Sequence, residues 1–413
     1  MGDYDRRVPG DPPSPIPSIL GVTHDRFVAM CAERGIGSGR AMSAYRACYL
    51  EGDPSAVPDG FDTWIPPIVR RIEEEVSEGT TIKFCQRLDR QAGTPVSERA
   101  ADRVALGVLN NDDRVRHLDI ESVIIPMVGR TGKKTHTLCV SSQVGCAMGC
   151  GFCETAQMGL IRSLTPAEIA AQWWAARWIE GVEIDNIVFM GMGEPLDNTD
   201  AVLQAIGCLT DHHGPRVAMS CITISTVGRV DGLRRLADQI QTEGWKRLGI
   251  ALSVNAPNDE VRNELMPVNR RWDMAELQGV MERIVEVRGA RKILFEYVLI
   301  PGVNDSMEHA GQLADWMAPF GRRDGKAPVG LLNVIPYNPR RDSPWPAPDE
   351  DDVTAFVERM NDLGVYTKRR RTKGRTAMAA CGQLGTAEIR GRRFIGDAGC
   401  KTGAKTVKSS SDG

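Results

Sequence analysis

The sequence has few of the features that mark membrane, secreted or disulfide-rich proteins. It contains no run of eighteen apolar residues, and residues 1–6 do not begin an apolar secretory segment. Its 11 cysteines are sparse for a chain of 413 residues, which excludes a disulfide framework as the basis of the fold. We therefore expect a cytoplasmic protein without a membrane partner, in which clustered cysteines serve metal or redox chemistry.

A large charge of one sign is also missing, because the formal net charge is only −3. The cations are nevertheless unevenly distributed, and residues 368–375 contain six of them. This cationic strip is typical either of a solvated surface before a basic tail or of a surface that contacts phosphate groups. On charge alone, both interpretations stay open.

Local patterns divide the chain into six parts. Within them we predict a helix at residues 64–73 and strands at 81–85, 104–109 and 122–125, with a polar insertion after Asp89. The predicted parts are a flexible leader (1–20), a small helical accessory domain (21–78), a β-rich extension (79–134), a region of alternating strands and helices (135–365), a C-terminal segment (366–390) and a basic, disordered tail (391–413).

The alternating region predicts an α/β fold with a parallel sheet and helices outside it. Thr165 and Glu168 form a capping box at the start of one predicted helix, and Asp273 caps another that stops at Gly289. Such a sheet is either doubly wound or a partial barrel, and the carboxyl ends of its strands deliver loops to one rim. The predicted strands are 137–142, 186–192, 221–227, 248–255, 293–300 and 329–337.

The cysteine loop (residues 146–153) follows the first of these strands. Cys146, Cys150 and Cys153 are spaced as Cys-x3-Cys-x2-Cys among glycines. Three thiolates leave a tetrahedral zinc ion or a cubane iron–sulfur cluster one ligand short, and an open position is where chemistry takes place. The loop therefore predicts a reactive metal centre.

Small polar residues recur at the ends of the later strands. Each one alone is typical of a turn or a helix cap, and so is the glycine-rich turn 191–195, which contains Glu194. Their recurrence at equivalent positions favours a nucleoside-like ligand that lies across the mouth of the fold. These strand-end residues are Ser225, Ser253, Asn255 and Asn338.

Two further cysteines stand out from those that we assign to inert buried positions. Cys139 lies in the first predicted strand, seven residues before Cys146. Cys381 lies within a glycine- and alanine-rich segment, residues 379–384, just after the cationic strip, and neighbouring cations favour a reactive thiolate. The commoner role of a cysteine, as a small buried apolar residue, remains the alternative for both.

Together these motifs resemble the RlmN/Cfr family of radical S-adenosylmethionine RNA methyltransferases, over residues 121 to 384. The resemblance implies a partial (βα)6 TIM-type radical S-adenosylmethionine barrel with a small N-terminal helical domain that binds RNA. The matching motifs are Glu121-Ser-Val-Ile-Ile-Pro126, Cys139-Val-Ser-Ser-Gln-Val-Gly-Cys146, the cysteine triplet, Gly191-Met-Gly-Glu-Pro-Leu196, Asn255-Ala-Pro-Asn-Asp-Glu-Val-Arg262, Tyr337-Asn-Pro339 and Ala380-Cys-Gly-Gln-Leu384.

The resemblance also implies two cofactors, a [4Fe–4S] cluster and S-adenosylmethionine. Cys146, Cys150 and Cys153 would bind three irons, and the methionine part of S-adenosylmethionine would bind the fourth. The residues implied to hold S-adenosylmethionine are Gly193 and Glu194 at its methionine end and Ser225, Ser253, Val254, Asn255 and Asn338 along the remainder.

Three more residues receive catalytic roles from the resemblance. Cys381 would carry a methyl group that a 5′-deoxyadenosyl radical activates for addition to an adenine ring, at carbon 2 in preference to carbon 8. Glu121 would accept a proton, and Cys139 would release the product by forming a disulfide with Cys381. The implied partners are ribosomal or transfer RNA and an electron donor such as flavodoxin or ferredoxin, with the protein acting as a monomer.

One departure and two alternatives accompany the resemblance. Asn255 stands where the family commonly has histidine. A radical S-adenosylmethionine enzyme for a peptide or small metabolite has no need of the Cys139 and Cys381 pair. A non-enzymatic RNA-binding protein with a structural metal needs a fourth ligand, for which His136 is the candidate nearest in sequence.

Overall fold

The computed structural model describes residues 16–88, 118–129, 132–289, 291–321, 327–340, 342–370 and 382–385. Its strands are β1 (Ile68–Val76), β2 (Gly79–Leu88), β3 (Leu118–Val128), β4 (Lys134–Cys139), β5 (Gln143–Gly145), β6 (Leu160–Ser163), β7 (Asn186–Phe189), β8 (Ile222–Thr226), β9 (Gly249–Ser253), β10 (Ile293–Leu299), β11 (Gly330–Pro336) and β12 (Thr367–Arg369). Except for the β5–β6 hairpin, they form one sheet in the order β1-β2-β3-β4-β7-β8-β9-β10-β11-β12.

The sheet has an antiparallel part and a parallel part. β1 to β4 pair antiparallel, whereas β4 pairs parallel with β7, and parallel pairing continues to β12. β4 and β7 to β11 are the six strands predicted for the alternating region, so that prediction is confirmed within a few residues at each end. The carboxyl ends of these parallel strands share one rim.

Helices cover the outside of the parallel part. They are α1 (His24–Ala32), α2 (Ser38–Arg46), α3 (Pro166–Trp174), α4 (Thr199–Leu209), α5 (Val230–Ile240), α6 (Asp259–Leu265), α7 (Met274–Arg288), α8 (Met307–Met317) and α9 (Glu350–Asp362). In the ranges given above, no helix combines the length and apolar character that a bilayer-spanning segment needs.

The predicted helix caps are present. At the start of α3, Thr165 Oγ accepts from the amide of Glu168 at 3.2 Å, and the Glu168 carboxylate accepts from the amide of Thr165 at 2.9 Å. Asp273 accepts from the amide of Glu276 at 2.8 Å, and α7 ends at Gly289. These local bonds position both helices because they satisfy amides that have no partner within the helix.

The N-terminal helices pack on the outside of the barrel. Trp174 of α3 donates its ring N–H to the carbonyl of Cys48 at 2.9 Å, and Tyr49 donates its hydroxyl to Leu20 at 3.0 Å. Ile19 and Leu20 are fully buried. Ile19 and Leu20 are therefore part of the packed core, although the predicted leader included them, and residues 1–15 of that leader lie outside the described residues.

The helix predicted at residues 64–73 is wrong, since Ile68–Val76 is strand β1. Pro66 and Pro67 lack backbone N–H groups and favour an extended chain, and β1 then pairs with β2, with Ile72 opposite Lys83. β1 to β3 thus extend the wall of the barrel. The predicted strand at 104–109 lies outside the described residues, as does the predicted insertion.

Candidate active site

The cysteine loop begins at the β5–β6 hairpin, on the rim of the barrel. Gly145 has φ +76°, and a Cβ there would collide with the carbonyl of Gly159, so only glycine allows this approach. The same carbonyl accepts from the amide of Cys146 at 2.9 Å. Further along, the amide of Gly151 donates to Leu265 of α6 at 2.9 Å. The loop is therefore held from both sides.

The three thiols of this loop are enclosed by protein. Cys146 and Cys150 are 8% and 4% exposed, and Cys153 is partly exposed. Burial raises the pKa of all three thiols, and the neighbouring thiols raise that of Cys146 and Cys150 further. Thiolates in this position need a positive partner, which a bound metal supplies.

The three thiols of the cysteine loop are the candidate ligands of a metal centre. Among the described residues, no three His, Cys, Asp or Glu side chains form a group that suits one metal ion. In a cubane cluster each thiolate binds a different iron, so the sulfurs stay further apart. His136 lies near the start of β4, with Nδ1 3.2 Å from the carbonyl oxygen of Glu183, whereas the cysteine loop follows the other end of that strand.

The glycine-rich turn after β7 places Glu194 beside this loop. Gly193 has φ +100°, and a Cβ there would lie 2.5 Å from the Cβ of Gln143. The buried Glu194 carboxylate accepts from the amides of Leu196 at 3.0 Å and Val227 at 2.9 Å. Burial raises the pKa of Glu194, and these hydrogen bonds oppose the increase. A carboxylate has further lone pairs, so it is able to accept from an ammonium group as well.

Ser225 is hydrogen-bonded to Glu296, an acidic residue that was not predicted as part of the site. Its hydroxyl donates to Glu296 of β10 at 3.2 Å, and Arg370 donates to the other oxygen of that buried carboxylate at 2.9 Å. The available signal was a single charged residue within the apolar run predicted as the fifth strand. This pair fixes the start of the cationic strip against the barrel rim.

The remaining residues implied to hold S-adenosylmethionine also lie at strand ends. Ser253 ends β9, Val254 follows it, and Asn338 lies two residues after β11. Val254 and Asn338 are buried, and Ser253 is partly buried. Their common rim confirms the topological prediction, while their contact with a cofactor stays a prediction.

Asn255 has an internal role in the structure. It adopts φ +54°, a conformation that asparagine tolerates better than most residues. Its side-chain oxygen accepts from the amide of Val298 at 2.9 Å, and its nitrogen lies 3.6 Å from the sulfur of Met266. The side chain thus fastens the turn after β9 to β10 and the residue after α6.

Glu121 and Cys139 lie on the same face of the extended sheet. Val123 is directly opposite Cys139, and Glu121 is two residues before Val123 on β3. Glu121 is fully buried, with its carboxylate 3.0 Å from Lys83 Nζ and 3.1 Å from Arg70 Nη2. Neither cation was predicted from the sequence. The one sequence feature that pointed to a buried lysine was its position between two apolar residues in the predicted strand 81–85.

Cys381 lies outside the described residues, but the four residues that follow it are anchored at this site. The carbonyl of Gly382 accepts from the amide of Glu154 at 2.7 Å, and that of Leu384 accepts from the Thr155 hydroxyl at 2.6 Å. The amide of Gly385 donates to Glu121 Oε2 at 2.8 Å. We define residues 382–385 as the anchored segment; it joins the end of the cysteine loop to Glu121.

Cys139 contacts the same segment through an apolar cluster. Leu384, Val123, Met158 and Met192 pack with Cys139, which is 7% exposed. No disulfide joins the cysteines that the structure describes. The anchored segment therefore has Cys139, Glu121 and the cysteine loop around it.

The first three cations of the strip already have partners within the protein. Lys368 lies over the ring of Tyr366, and Arg369 pairs with Glu350 on α9. Arg370 pairs with Glu296, as described above. Residues 368–370 of the strip are therefore held by contacts with the rest of the fold. Residues 371–375 lie outside the described residues.

Comparison with known proteins places this site in a family. The Radical SAM superfamily profile matches residues 140–314. The chain is 36% identical over 377 residues to the probable dual-specificity RNA methyltransferase RlmN 1 of Protochlamydia amoebophila, covering 91% of this chain and 96% of that protein. It is 34% identical over 383 residues to the dual-specificity RNA methyltransferase RlmN of Caulobacter vibrioides, covering 90% and 86%.

A solved structure agrees with these relatives. The crystal structure of a radical SAM methyltransferase from Sphaerobacter thermophilus superposes with a TM-score of 0.73 at 30% identity, covering 89% of this chain and 98% of that one. This similarity confirms the predicted radical S-adenosylmethionine fold over nearly the whole chain. The protein belongs to the RlmN/Cfr family of radical S-adenosylmethionine methyltransferases.

Proposed function

We propose that the protein methylates a ring carbon of an adenine in RNA, with Cys381 as the methyl carrier. The observation that carries this proposal is the anchored segment, whose backbone links the end of the cysteine loop to Glu121 and whose Leu384 packs on Cys139. The relatives named as RNA methyltransferases support RNA as the substrate. Carbon 2 is proposed before carbon 8 because it is the housekeeping target of the family.

The chemistry explains why such a site needs both a metal centre and paired thiols. A ring carbon of adenine is not nucleophilic, so transfer of a methyl cation to it fails. A [4Fe–4S] cluster on Cys146, Cys150 and Cys153, with S-adenosylmethionine, supplies a 5′-deoxyadenosyl radical when bound. Glu194 and Gly193 would hold the methionine end of that cofactor, and the strand-end residues Ser225, Ser253, Val254, Asn255 and Asn338 would line its remainder.

The protein's own residues would then complete the transfer. After the carbon radical on Cys381 adds to the ring, Glu121 would accept the proton of the substituted carbon, and the one remaining unpaired electron would return to the cluster. The Cys139 thiolate would attack the sulfur of Cys381, so that a sulfur–sulfur bond forms as the sulfur–carbon bond to the base breaks, and the released carbon takes up a proton. The resulting disulfide is a transient state, and reduction by a cellular thiol restores both cysteines.

The partners of this reaction follow from its chemistry. A base that lies exposed in a loop of ribosomal or transfer RNA is the accessible substrate. The helical domain would contact that RNA. A flavodoxin or ferredoxin would supply electrons to a monomeric enzyme in the cytoplasm.

Mapping of methyladenosine isomers tests the proposal. Ribosomal and transfer RNA from cells lacking the protein would be compared by mass spectrometry with RNA from cells that express the wild type or Cys381→Ala. We expect 2-methyladenosine to be lost in the deletion, restored by the wild type and not restored by Cys381→Ala. Cys221→Ala, altered just before β8, serves as the matched control and should restore the product. Identical methyladenosine content in the RNA of all strains would contradict the proposal. Detection of 8-methyladenosine in place of 2-methyladenosine would identify carbon 8 as the methylated carbon.

A further inference from the structure

Arg262 is the largest fully buried side chain among the described residues. It lies on α6, and its guanidinium donates to the carbonyls of Val254 at 3.1 Å and Val227 at 2.6 Å, and to the side-chain oxygen of Asn269 at 2.9 Å. These acceptors are all neutral. Within the described chain, no carboxylate accepts a hydrogen bond from this guanidinium.

A buried cation without an ionic partner is unfavourable, because neutral dipoles replace water incompletely. Burial lowers the pKa of Arg262 to about 10, which still leaves the guanidinium charged near pH 7. Cys150 and then Asp259 oppose this shift through their negative charge. The Asp259 carboxylate is already bonded to Asn269 Nδ2 at 2.8 Å and to the amide of Met274 at 2.9 Å.

The cysteine loop lies against the helix that carries Arg262. Gly151 donates its amide to Leu265 at the end of α6, and Cys150 packs with Leu265 and Met266 in one apolar cluster. The positive charge therefore lies beside a loop that carries three thiols. Three thiolates around a cluster make this the place in the site where negative charge accumulates.

We propose that Arg262 supplies the buried positive charge that compensates the cluster on the cysteine loop and favours its reduced form. This inference depends on the cluster of the proposed function. Adding an electron to an anionic group inside the protein is costly, and a fixed cation nearby reduces that cost. The hydrogen bonds of Arg262 to strand-end carbonyls hold the charge in place at the rim.

Arg288 offers a matched control at the other end of the barrel. It lies on α7, is 7% exposed, and donates to the carbonyls of Leu248 at 2.6 Å and Lys292 at 3.2 Å. Burial lowers its pKa to about 10 as well. Leu248 and Lys292 directly precede β9 and β10, so Arg288 lies at the end of the strands opposite the cysteine loop.

The midpoint potential of the cluster tests the proposal. Anaerobically reconstituted wild type, Arg262→Gln, Arg262→Lys and Arg288→Gln would be titrated and followed by electron paramagnetic resonance. We expect Arg262→Gln to lower the equilibrium constant for reduction about tenfold, equivalent to about 59 mV for one electron. Arg262→Lys and Arg288→Gln should stay near the wild type.

Several outcomes would overturn the proposal. An unchanged potential in Arg262→Gln, an equal shift in Arg262→Lys, or an equal shift in Arg288→Gln would each do so. If Arg262→Gln takes up no iron, iron content becomes the readout: retention in Arg262→Lys supports the charge, and equal loss there contradicts it. A wild type without a cluster would remove the proposed function and this inference together, whereas an unchanged potential removes the inference alone.

Discussion

The two ends of the parallel barrel each bury an arginine, but among the described residues acidic groups oppose the lowering of the pKa at one end alone. Arg288 satisfies carbonyls that precede β9 and β10, and a second cation, Arg291, adds to the lowering of its pKa. Arg262 satisfies carbonyls that follow β8 and β9, and there Cys150 opposes the lowering. Both arginines therefore donate to backbone carbonyls at strand ends, but only Arg262 lies beside the cysteine loop.

This difference shows how to separate function from packing in a barrel. At the amino ends of the strands, the Arg288 guanidinium donates to the carbonyls of Leu248 and Lys292, which precede β9 and β10. At the carboxyl ends, Glu194, Asn255 and Arg262 tie three neighbouring loops together through backbone groups. These loops surround the thiols, so their rigidity determines how accurately a ligand is held.

Removing a thiol at the functional rim should have the largest effect. We expect Cys150→Ala to abolish iron–sulfur absorbance and RNA methylation, because a three-thiol site cannot lose a ligand and hold its cluster. Cys208→Ala is the matched control, since Cys208 is equally buried but lies on α4. A cluster that survives in Cys150→Ala, measured by absorbance and iron content, would contradict the comparison.

A buried cation that does have a carboxylate partner sharpens the comparison. Lys83 is 3% exposed and pairs with Glu121. Its removal would leave Arg70, a side chain that is 45% exposed, as the cation paired with this carboxylate among the described residues. We expect Lys83→Met to lower kcat for RNA methylation about tenfold, less than the roughly hundredfold or greater effect of losing a general base itself, with KM for RNA unchanged. Lys83→Arg should restore most of the rate. A fully active Lys83→Met in single-turnover assays would show that the lysine only fills space.

Local sequence patterns predicted the parallel part of the fold and most of its rim. The six strands, the capping box at Thr165 and the cysteine loop depend on neighbours within a few residues, which sequence patterns report. Residues at the carboxyl ends of parallel strands must share a rim, so Ser225, Ser253 and Asn338 were predictable as a group.

Long-range pairing explains what was missed. β1 forms because β2 offers it a partner edge, and Arg70 reaches Glu121 only through that pairing. The burial of Arg262 depends on carbonyls from two loops distant in sequence. Residues 19–20 were mistaken for leader because their burial surface is supplied by α3 and Tyr49. Neither composition nor periodicity carries this information.

A neutral contact at the same rim should matter less than the charged ones. The Thr155 hydroxyl donates to the carbonyl of Leu384 at 2.6 Å in the anchored segment. We expect Thr155→Val to slow base methylation about fivefold, which corresponds to loss of one hydrogen bond of about 1 kcal/mol. Thr155→Ser keeps the hydroxyl and should keep the rate. Equal rates for valine and serine, in a single-turnover assay, would show that this bond does not position the segment.

The smallest effect on activity should come from the amino end of the barrel. Arg288→Gln leaves the buried carbonyl of Leu248 and the carbonyl of Lys292 without this donor, so we expect unfolding free energy to fall by about 1–3 kcal/mol in urea denaturation. Methylation by the folded protein should stay unchanged, because the cysteine loop lies at the other strand ends. Arg262→Gln should lose a comparable amount of stability, since it also leaves neutral acceptors, the carbonyls of Val227 and Val254 and the side-chain oxygen of Asn269, without their donor. If both variants lose the same unfolding free energy but only Arg262→Gln loses methylation activity, the two arginines contribute equally to stability and only Arg262 contributes to the reaction.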